Sequence, residues 1–427
     1  MSTQPINARL RGLWQHVDFV KVWSAHTVSQ FGSQITLLAL PLTAALTLHA
    51  TPGQMGVLLA AGYLPNLLLG LPAGAWMDRR PKRPVMILTD LVRALLLLGV
   101  PALALWGQLS IGALYLIAFL VGLATLFFDL AAQAYLPALI GREHLLDGNA
   151  KLEASRSAAT AAGPGLAGVL TQAVSAPLAM LGNALTFVAS ALFLVGLHHP
   201  EPQLAGARRR LGADILEGMR TVWESDVLRA TFRTGALWNF SVNVIQAVLI
   251  LFATRSLHLS PGLLGVALSM MGVGMLVGAA LAGPWRRRLG AGPALIAAGF
   301  LASSGGVLLA LSGVFGGIAG VLLLMVGQFV YGLGPMIFGI NSVTLRQAVT
   351  PDRLQARVAA TFRFVVWGAL PLGALAGGAI GSAFGLPVAL IVGAVGMVGS
   401  VSLLLFSSLP TLREPSLPPE NIGEGSL

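Results

Sequence analysis

Cysteine is absent from all 427 residues, which removes disulfides, thiolate catalysis and cysteine-ligated metals together. Charge is scarce too. Asp, Glu, Lys and Arg make up 10% of the chain against 56% apolar residues, and the mean hydropathy is +0.81. That leaves too little polar surface to clothe a soluble globule. No G-K-[ST] occurs, so the chain offers no phosphate-binding loop and no sign of ATP hydrolysis. Its 7 histidines lack H-x-x-x-H and H-x-H spacing, and His144 with Asp147 reads as a solvated loop pair. Without a cluster of nucleophile, base and metal ligand, neither an enzyme nor a cofactor is expected.

The chain has long apolar runs instead. Stretches of about 20 residues, the length that crosses a hydrocarbon core about 30 Å thick, fall near 22–48, 53–77, 84–106, 110–135, 150–172, 176–197, 230–254, 261–284, 293–312, 317–344, 358–383 and 387–409. The strands of an outer-membrane barrel would be about 10 residues of alternating polarity, which these Leu, Ala, Gly and Val runs are not. The expectation is an all-α membrane protein with twelve transmembrane helices.

The twelve divide into two sets of six. The string from Leu48, LHATPGQMGVLL, returns from Leu257 as LHLSPGLLGVAL, an offset of 209. At the same offset Ala73, Gly74, Trp76, Arg79 and Pro84 recur as Ala282, Gly283, Trp285, Arg288 and Pro293. A repeat of this length is no solenoid unit; in an apolar chain it predicts two bundles related by an axis along the membrane normal. The bundles are expected at 22–197 and 230–409, after an N-terminal segment 1–21. A charged linker, 198–229, joins them, with Ile215, Met219, Val222 and Trp223 spaced for an amphipathic surface helix. The tail, 410–427, has no periodicity and is expected to be disordered.

Basic residues set the orientation. Arg79, Arg80, Lys82 and Arg83, Arg208 to Arg210, and Arg286 to Arg288 fall in one set of connections, while the alternate set holds only Arg255. The positive-inside rule therefore places both termini in the cytoplasm. The net charge of +10 is topological on this reading, with lipid headgroups and not nucleic acid as its neighbours. No cleavable signal is expected, the chain is expected in the cell membrane of a bacterium, and a monomer suffices.

The turn after the second run, Gly74-Ala-Trp-Met-Asp78-Arg79-Arg80-Pro-Lys82-Arg83, resembles the signature loop of the major facilitator superfamily. Trp76 and Pro81 depart from the usual Leu and Gly, and the second copy at Gly283 has Arg287 in place of Asp78. Ala159 to Gly168, with Gly163, Pro164, Gly165 and Gly168, resembles the antiporter motif of drug exporters in that superfamily. Together with Phe127-Phe128-Asp129, Tyr135-Leu-Pro137 and Leu146-Asp-Gly-Asn149, it resembles the group of macrolide efflux pumps and the enterobactin exporter. The resemblance implies export by rocking of two bundles, with Asp78, Arg79 and Arg83 at a cytoplasmic gate. Read without it, G-x-G-x-x-G at Gly163 is a packing surface rather than a dinucleotide fingerprint, since it lies inside an apolar run. Gly373, Gly377 and Gly381 have the small-xxx-small spacing of close helix contacts.

Polar residues inside spans are costly and face a cavity or a partner. Gln30 and Gln34 lie one turn apart, and the offset of 209 carries them to Asn239 and Asn243. These amide pairs either line a cavity that suits an uncharged or amphiphilic solute or bond between helices of one bundle. Gln328, Asn341 and Trp367 are further cavity candidates, and Arg363 is near enough to the cytoplasmic edge to snorkel. Of the 16 carboxylates, Asp90, Asp129 and Glu153 fall at hydrocarbon depth. Asp90 precedes Arg93, and Glu153 precedes Arg156, by three residues. Asp129 has no basic neighbour on its own helix, which leaves two roles open: proton carrier, or structural partner of Arg156.

The expected activity is secondary active export of a small amphiphilic compound, drug-like or a secondary metabolite, by proton antiport. A dedicated siderophore or lysophospholipid transporter and a non-transporting sensor are the alternatives. A carboxylate at a helix N-terminus contributes about 0.3–1 kcal/mol. A correctly inserted Asp78→Asn protein is therefore expected to lose export through a slackened gate, as a cellular efflux assay would read; unchanged export would reduce Asp78 to a topological charge.

Overall fold

The computed structural model describes residues 12–77, 79–197 and 211–412. The Asp78 position, the segments 1–11 and 198–210, and the tail from 413 lie outside the described residues. Six long helices come from the first repeat: α1 (Val17–Leu42), α2 (Pro52–Met77), α3 (Lys82–Leu105), α4 (Ile111–Ile140), α5 (Leu145–Val174) and α6 (Ala176–Val195). A shorter helix, α7 (Leu211–Glu224), precedes α8 (Asp226–Arg255), α9 (Pro261–Leu289), α10 (Ala291–Phe315), α11 (Gly317–Val349), α12 (Asp352–Phe384) and α13 (Leu386–Ser402). No strand occurs among the described residues, and nine helices there are long and apolar enough to cross a membrane.

The two repeats pack alike. α1 lies against α5 and α6, α2 against α4, and α3 against α4 and α6; α8 lies against α12 and α13, α9 against α11, and α10 against α11 and α13. Even the turns agree. His49 and its copy His258 both have φ of 51°, a left-handed conformation uncommon outside glycine. Each is followed by a hydroxyl cap, Thr51 or Ser260, and by proline at the first helical position, Pro52 or Pro261, where the missing N–H would have had no helical partner anyway.

Helices run past the apolar limits of the sequence. α1 begins at Val17 because the His16 Nδ1 accepts the Phe19 N–H at 3.1 Å. α4 continues through Pro137 to Ile140, so the turn lies at Gly141 and not at the proline. α7 docks on the second repeat: Val222, fully buried, packs with Leu228, Phe232, Val358 and Phe362, and Glu217 pairs with Arg357.

The first repeat buries one complete ion pair. Asp90 and Arg93 on α3 are 0% and 2% exposed and bond to one another, and the second Asp90 oxygen accepts the Ser190 hydroxyl at 2.7 Å. The Arg93 guanidinium lies between the Phe128 and Phe187 rings, 4.4 and 4.1 Å from their centroids. Removing one partner of a buried pair costs about 3–5 kcal/mol, whereas replacing both with apolar groups is often neutral. Asp90→Ala is thus expected to lower the unfolding midpoint sharply in detergent, and Asp90→Ala with Arg93→Met to recover most of the loss. Equal damage from the single and double variants would mean that the aromatic stacking, not the charge pairing, holds this region.

Candidate functional site

The repeats meet through two equivalent contacts, α2 on α12 and α5 on α9. Each is a glycine crossing. A Cβ on Gly56 would lie 2.9 Å from the Gly378 Cα and 2.5 Å from the Ala374 carbonyl oxygen; one on Gly168 would lie 2.9 Å from the Gly265 Cα and 2.5 Å from the Pro261 oxygen. No real side chain fits there, so backbones touch. Beside each crossing, a side chain from one repeat accepts the first free N–H of a helix in the other. Ser382 Oγ takes the Gly53 N–H at 2.8 Å, and Gln172 Oε1 takes the Gly262 N–H at 3.0 Å. Gly262 is the copy of Gly53 at the offset of 209. These contacts, together with Arg255 donating to the Ala50 carbonyl at 2.8 Å, seal the end of the array remote from Arg79, Arg80, Lys82 and Arg83.

At the opposite, basic end the first repeat holds a cavity of about 210 Å³ between α1, α3, α4 and α5. Val22, Met86, Phe128 and Leu136 form its apolar wall, and His26, Asp129, Gln133 and Asn149 its polar one. Asp129 is exposed to this space although it lies eleven residues inside the end of α4, roughly 16 Å at ~1.5 Å per residue. Among the described residues its carboxylate has no hydrogen bond or ion pair. The nearby cations whose charge it feels are Arg93, Arg156 and Arg363. Arg93 is committed to Asp90, and Arg156 to Glu153 through contacts of 2.9 and 2.7 Å. The arrangement presents one uncommitted carboxylate to water deep inside an apolar protein.

The other expected residues divide by location. Gln34 and Asn243 press on glycines of their own repeats: a Cβ at Gly163 would sit 2.5 Å from the Gln34 Cβ, and one at Gly373 would sit 3.0 Å from the Asn243 Cβ. Asn243 is 2% exposed and donates to the Asn239 carbonyl at 3.0 Å, while Asn239 donates to Gly235 at the same distance. Gln30 and Gln34 are half-buried. Gln328 and Asn341 are buried, Asn341 bonding back to Ile337. Trp367 stands half-exposed beside Arg363. In the antiporter-like stretch Gly163 faces α1, Pro164 and Gly168 meet Gly265, and the Gly165 N–H bonds to Ser269 Oγ at 2.9 Å. Arg79 is exposed. Arg83 donates to the Leu194 and Val195 carbonyls at 3.1 and 2.6 Å, a cation on a helix C-terminus as the dipole favours.

Sequence reasoning missed four polar groups. His26 precedes Gln30 and Gln34 at intervals of four, so a polar stripe on α1 was there to be read. Tyr63 on α2, Gln246 on α8 and Tyr331 on α11 converge at mid-depth, with Gln246 in hydrogen-bonding reach of Tyr331 and Tyr63 electrostatically close across the repeats. Their only signal was the scarcity of tyrosine, 4 in the chain.

Two halves with one sealed end and an internal ionisable cavity are the outline of a transporter. The transmembrane secretion effector family of the major facilitator superfamily matches residues 10–425. The chain belongs to that family. It is 26% identical over 279 residues to the uncharacterized transporter YfiS of Bacillus subtilis (62% of this chain, 63% of the relative). It is 29% identical over 259 residues to the multidrug efflux pump Tap of Mycolicibacterium fortuitum (58% and 62%) and 23% identical over 278 to macrolide efflux protein A of Streptococcus pyogenes (62% and 66%). The chain thus spans less than two thirds of these curated relatives. In fold it is similar to the nucleoside transporter NupG, with a TM-score of 0.73 at 13% identity over 91% of this chain and 98% of that one. It is also similar to an inward-facing bacterial ferroportin homologue, with a TM-score of 0.74 at 16% identity over 94% and 99%. The family and these neighbours are membrane transporters, not enzymes, and the chain is a multi-pass protein of the cell membrane.

The seal is directly testable because the chain has no native cysteine. A Cβ at Gly53 would stand 3.1 Å from Ser382 Oγ, within disulfide reach. Gly53→Cys with Ser382→Cys is expected to cross-link under mild oxidation, read as a gel shift after cleavage between the repeats. Absence of the cross-link in folded protein would show that the repeats do not meet there.

Proposed function

We propose that this protein is a proton-driven exporter of small amphiphilic compounds. On this reading its twelve membrane helices form two six-helix bundles, 22–197 and 230–409, with both termini cytoplasmic and the linker 198–229 on the cytoplasmic surface. The basic end then faces the cytoplasm, and the seal at Gly56–Gly378 and Gly168–Gly265 closes the external side. The single observation that carries the reading is the pairing of that two-fold seal with an uncommitted carboxylate, Asp129, open toward the basic end. A site reached from one side only, whose closure rests on two equivalent helix crossings, can exchange sides by rocking about them.

The chemistry follows from Asp129. Protonated, it is a neutral group that can pass through an apolar interior; ionised, it carries a charge that is costly there. Loading its proton on the external side and releasing it to the cytoplasm couples the downhill proton to the return of the emptied carrier. Half-buried amides and the Tyr63, Gln246 and Tyr331 cluster offer neutral donors and acceptors beside apolar wall, which suits a solute with both characters. Two relatives named for drug or macrolide efflux support the direction of transport.

In proteoliposomes loaded with ethidium or a radiolabelled macrolide, an imposed pH gradient is expected to drive uphill movement by wild-type protein. Asp129→Asn is expected to bind the same probe yet to equilibrate it without regard to the gradient. An Asn variant that still pumps uphill would move the proton path elsewhere.

A further inference from the structure

Two opposite charges on different repeats have no ion-pair partner among the described residues. Asp129 on α4 of the first repeat is exposed, with no hydrogen bond or ion pair among the described residues. Arg363 on α12 of the second repeat is also exposed; its guanidinium lies 5.8 Å from the Trp367 ring and meets no carboxylate among the described residues. Both sit equally far along their helices from the basic end. Asp129 is eleven residues before the end of α4 at Ile140, and Arg363 is eleven residues after the start of α12 at Asp352, each roughly 16 Å from the basic end at ~1.5 Å per residue. Arg363 is already near enough for its charge to act on Asp129.

We propose that Asp129 and Arg363 are the two halves of an ion pair that forms between the bundles when the basic end closes, and that protonation of Asp129 dissolves it. The proposal rests on the alternating-access reading and adds the group that Asp129 answers to. Two other cations act on the carboxylate, but each is already bonded to a carboxylate of its own helix. Arg93 on α3 is held by Asp90, and Arg156 on α5 by Glu153. His26 on α1 lines the same cavity; if it gains a proton it adds positive charge beside Asp129 and so opposes the approach of Arg363 as well. The device is a closure that ionised Asp129 favours and protonated Asp129 releases. It ties the proton to the position of the bundles through one Coulomb contact, in a space where low dielectric strengthens it.

The test needs no substrate. Leu146, 86% exposed at the start of α5, and Leu289, 43% exposed at the end of α9, lie at the basic ends of different repeats. Leu146→Cys with Leu289→Cys gives two spin labels in a chain free of other cysteines, and pulsed electron resonance in nanodiscs reads the distance between them. The wild-type background is expected to show a long and a short population, with the short one enriched at pH 8.5 over pH 5.5. Asp129→Asn and Arg363→Gln should each reduce the short population about fivefold, the size an incompletely buried ion pair carries, and should flatten its pH response. Combining them should add nothing. The exchanged variant, Asp129→Arg with Arg363→Asp, should restore the short population. If both populations exist and Arg363→Gln leaves them unchanged at each pH, the ion pair is wrong while rocking stands. One unchanging distance in every variant would overturn the rocking mechanism together with the proposal.

Discussion

Two glycine crossings carry the architecture. Backbone contact at Gly56 on Gly378 and at Gly168 on Gly265 brings helices of opposite repeats closer than any side chain permits. In lipid the hydrophobic effect does not hold helix to helix, so close packing and hydrogen bonds must. The Gly53 and Gly262 amides, received by Ser382 and Gln172, supply those bonds at the same place. A smooth, side-chain-free crossing is also one about which helices can pivot without unlocking interdigitated rotamers. The space around Asp129 lies at the other, basic end, away from these crossings.

Burial of charge follows a different rule in the same membrane. Asp90 and Arg93 are enclosed almost completely and are held by each other, by Ser190 and by two aromatic faces, with only the Arg93 Nε left unbonded in this group. Asp129 is one residue from Phe128, which covers Arg93, yet it is exposed and has no hydrogen bond or ion pair among the described residues. An enclosed pair is fixed because either charge alone would be ruinous. A solvated lone carboxylate can change its protonation state at little cost to the fold. The contrast between neighbouring groups separates the part of the bundle that holds from the part that can switch.

Much of this was legible in the sequence because hydropathy and the offset of 209 are strong signals. The helices, the surface helix ending at Glu224, the Asp90–Arg93 and Glu153–Arg156 pairs and the packing role of Gly373 and Gly377 could all be read from spacing. Helix ends could not, since the hydropathy of a run says where lipid stops and not where the backbone unwinds; α4 runs on through Pro137 for that reason. Contacts between repeats were also hidden. Gly168 stood out in a motif, but Gly56 and Gly378 look like any small residue until the two halves are docked. Gln34 and Asn243 were found as a symmetric pair by the offset alone, which fixes equivalence but not the direction a side chain faces; the structure presses each onto a glycine of its own bundle.

The duplication is mechanical rather than chemical. The helix pairings, the seal and the left-handed turns at His49 and His258 all occur twice. The ionisable residues do not. At the offset of 209, His26, Asp90, Arg93 and Asp129 correspond to Gly235, Gly299, Ala302 and Phe338, so the second bundle has the same shape with none of those charges. Gly299 and Ala302 let α10 pack tightly where α3 must house an ion pair, and Phe338, partly buried, packs against apolar clusters where Asp129 is exposed. A symmetric frame gives two states of similar energy, which alternating access requires, but symmetry alone cannot make one direction of travel depend on an ion. The proposed ion pair of Asp129 in one bundle with Arg363 in the other would break that equivalence at a single contact. Under the proposed proton-driven export, the frame would supply the motion and that asymmetry its coupling.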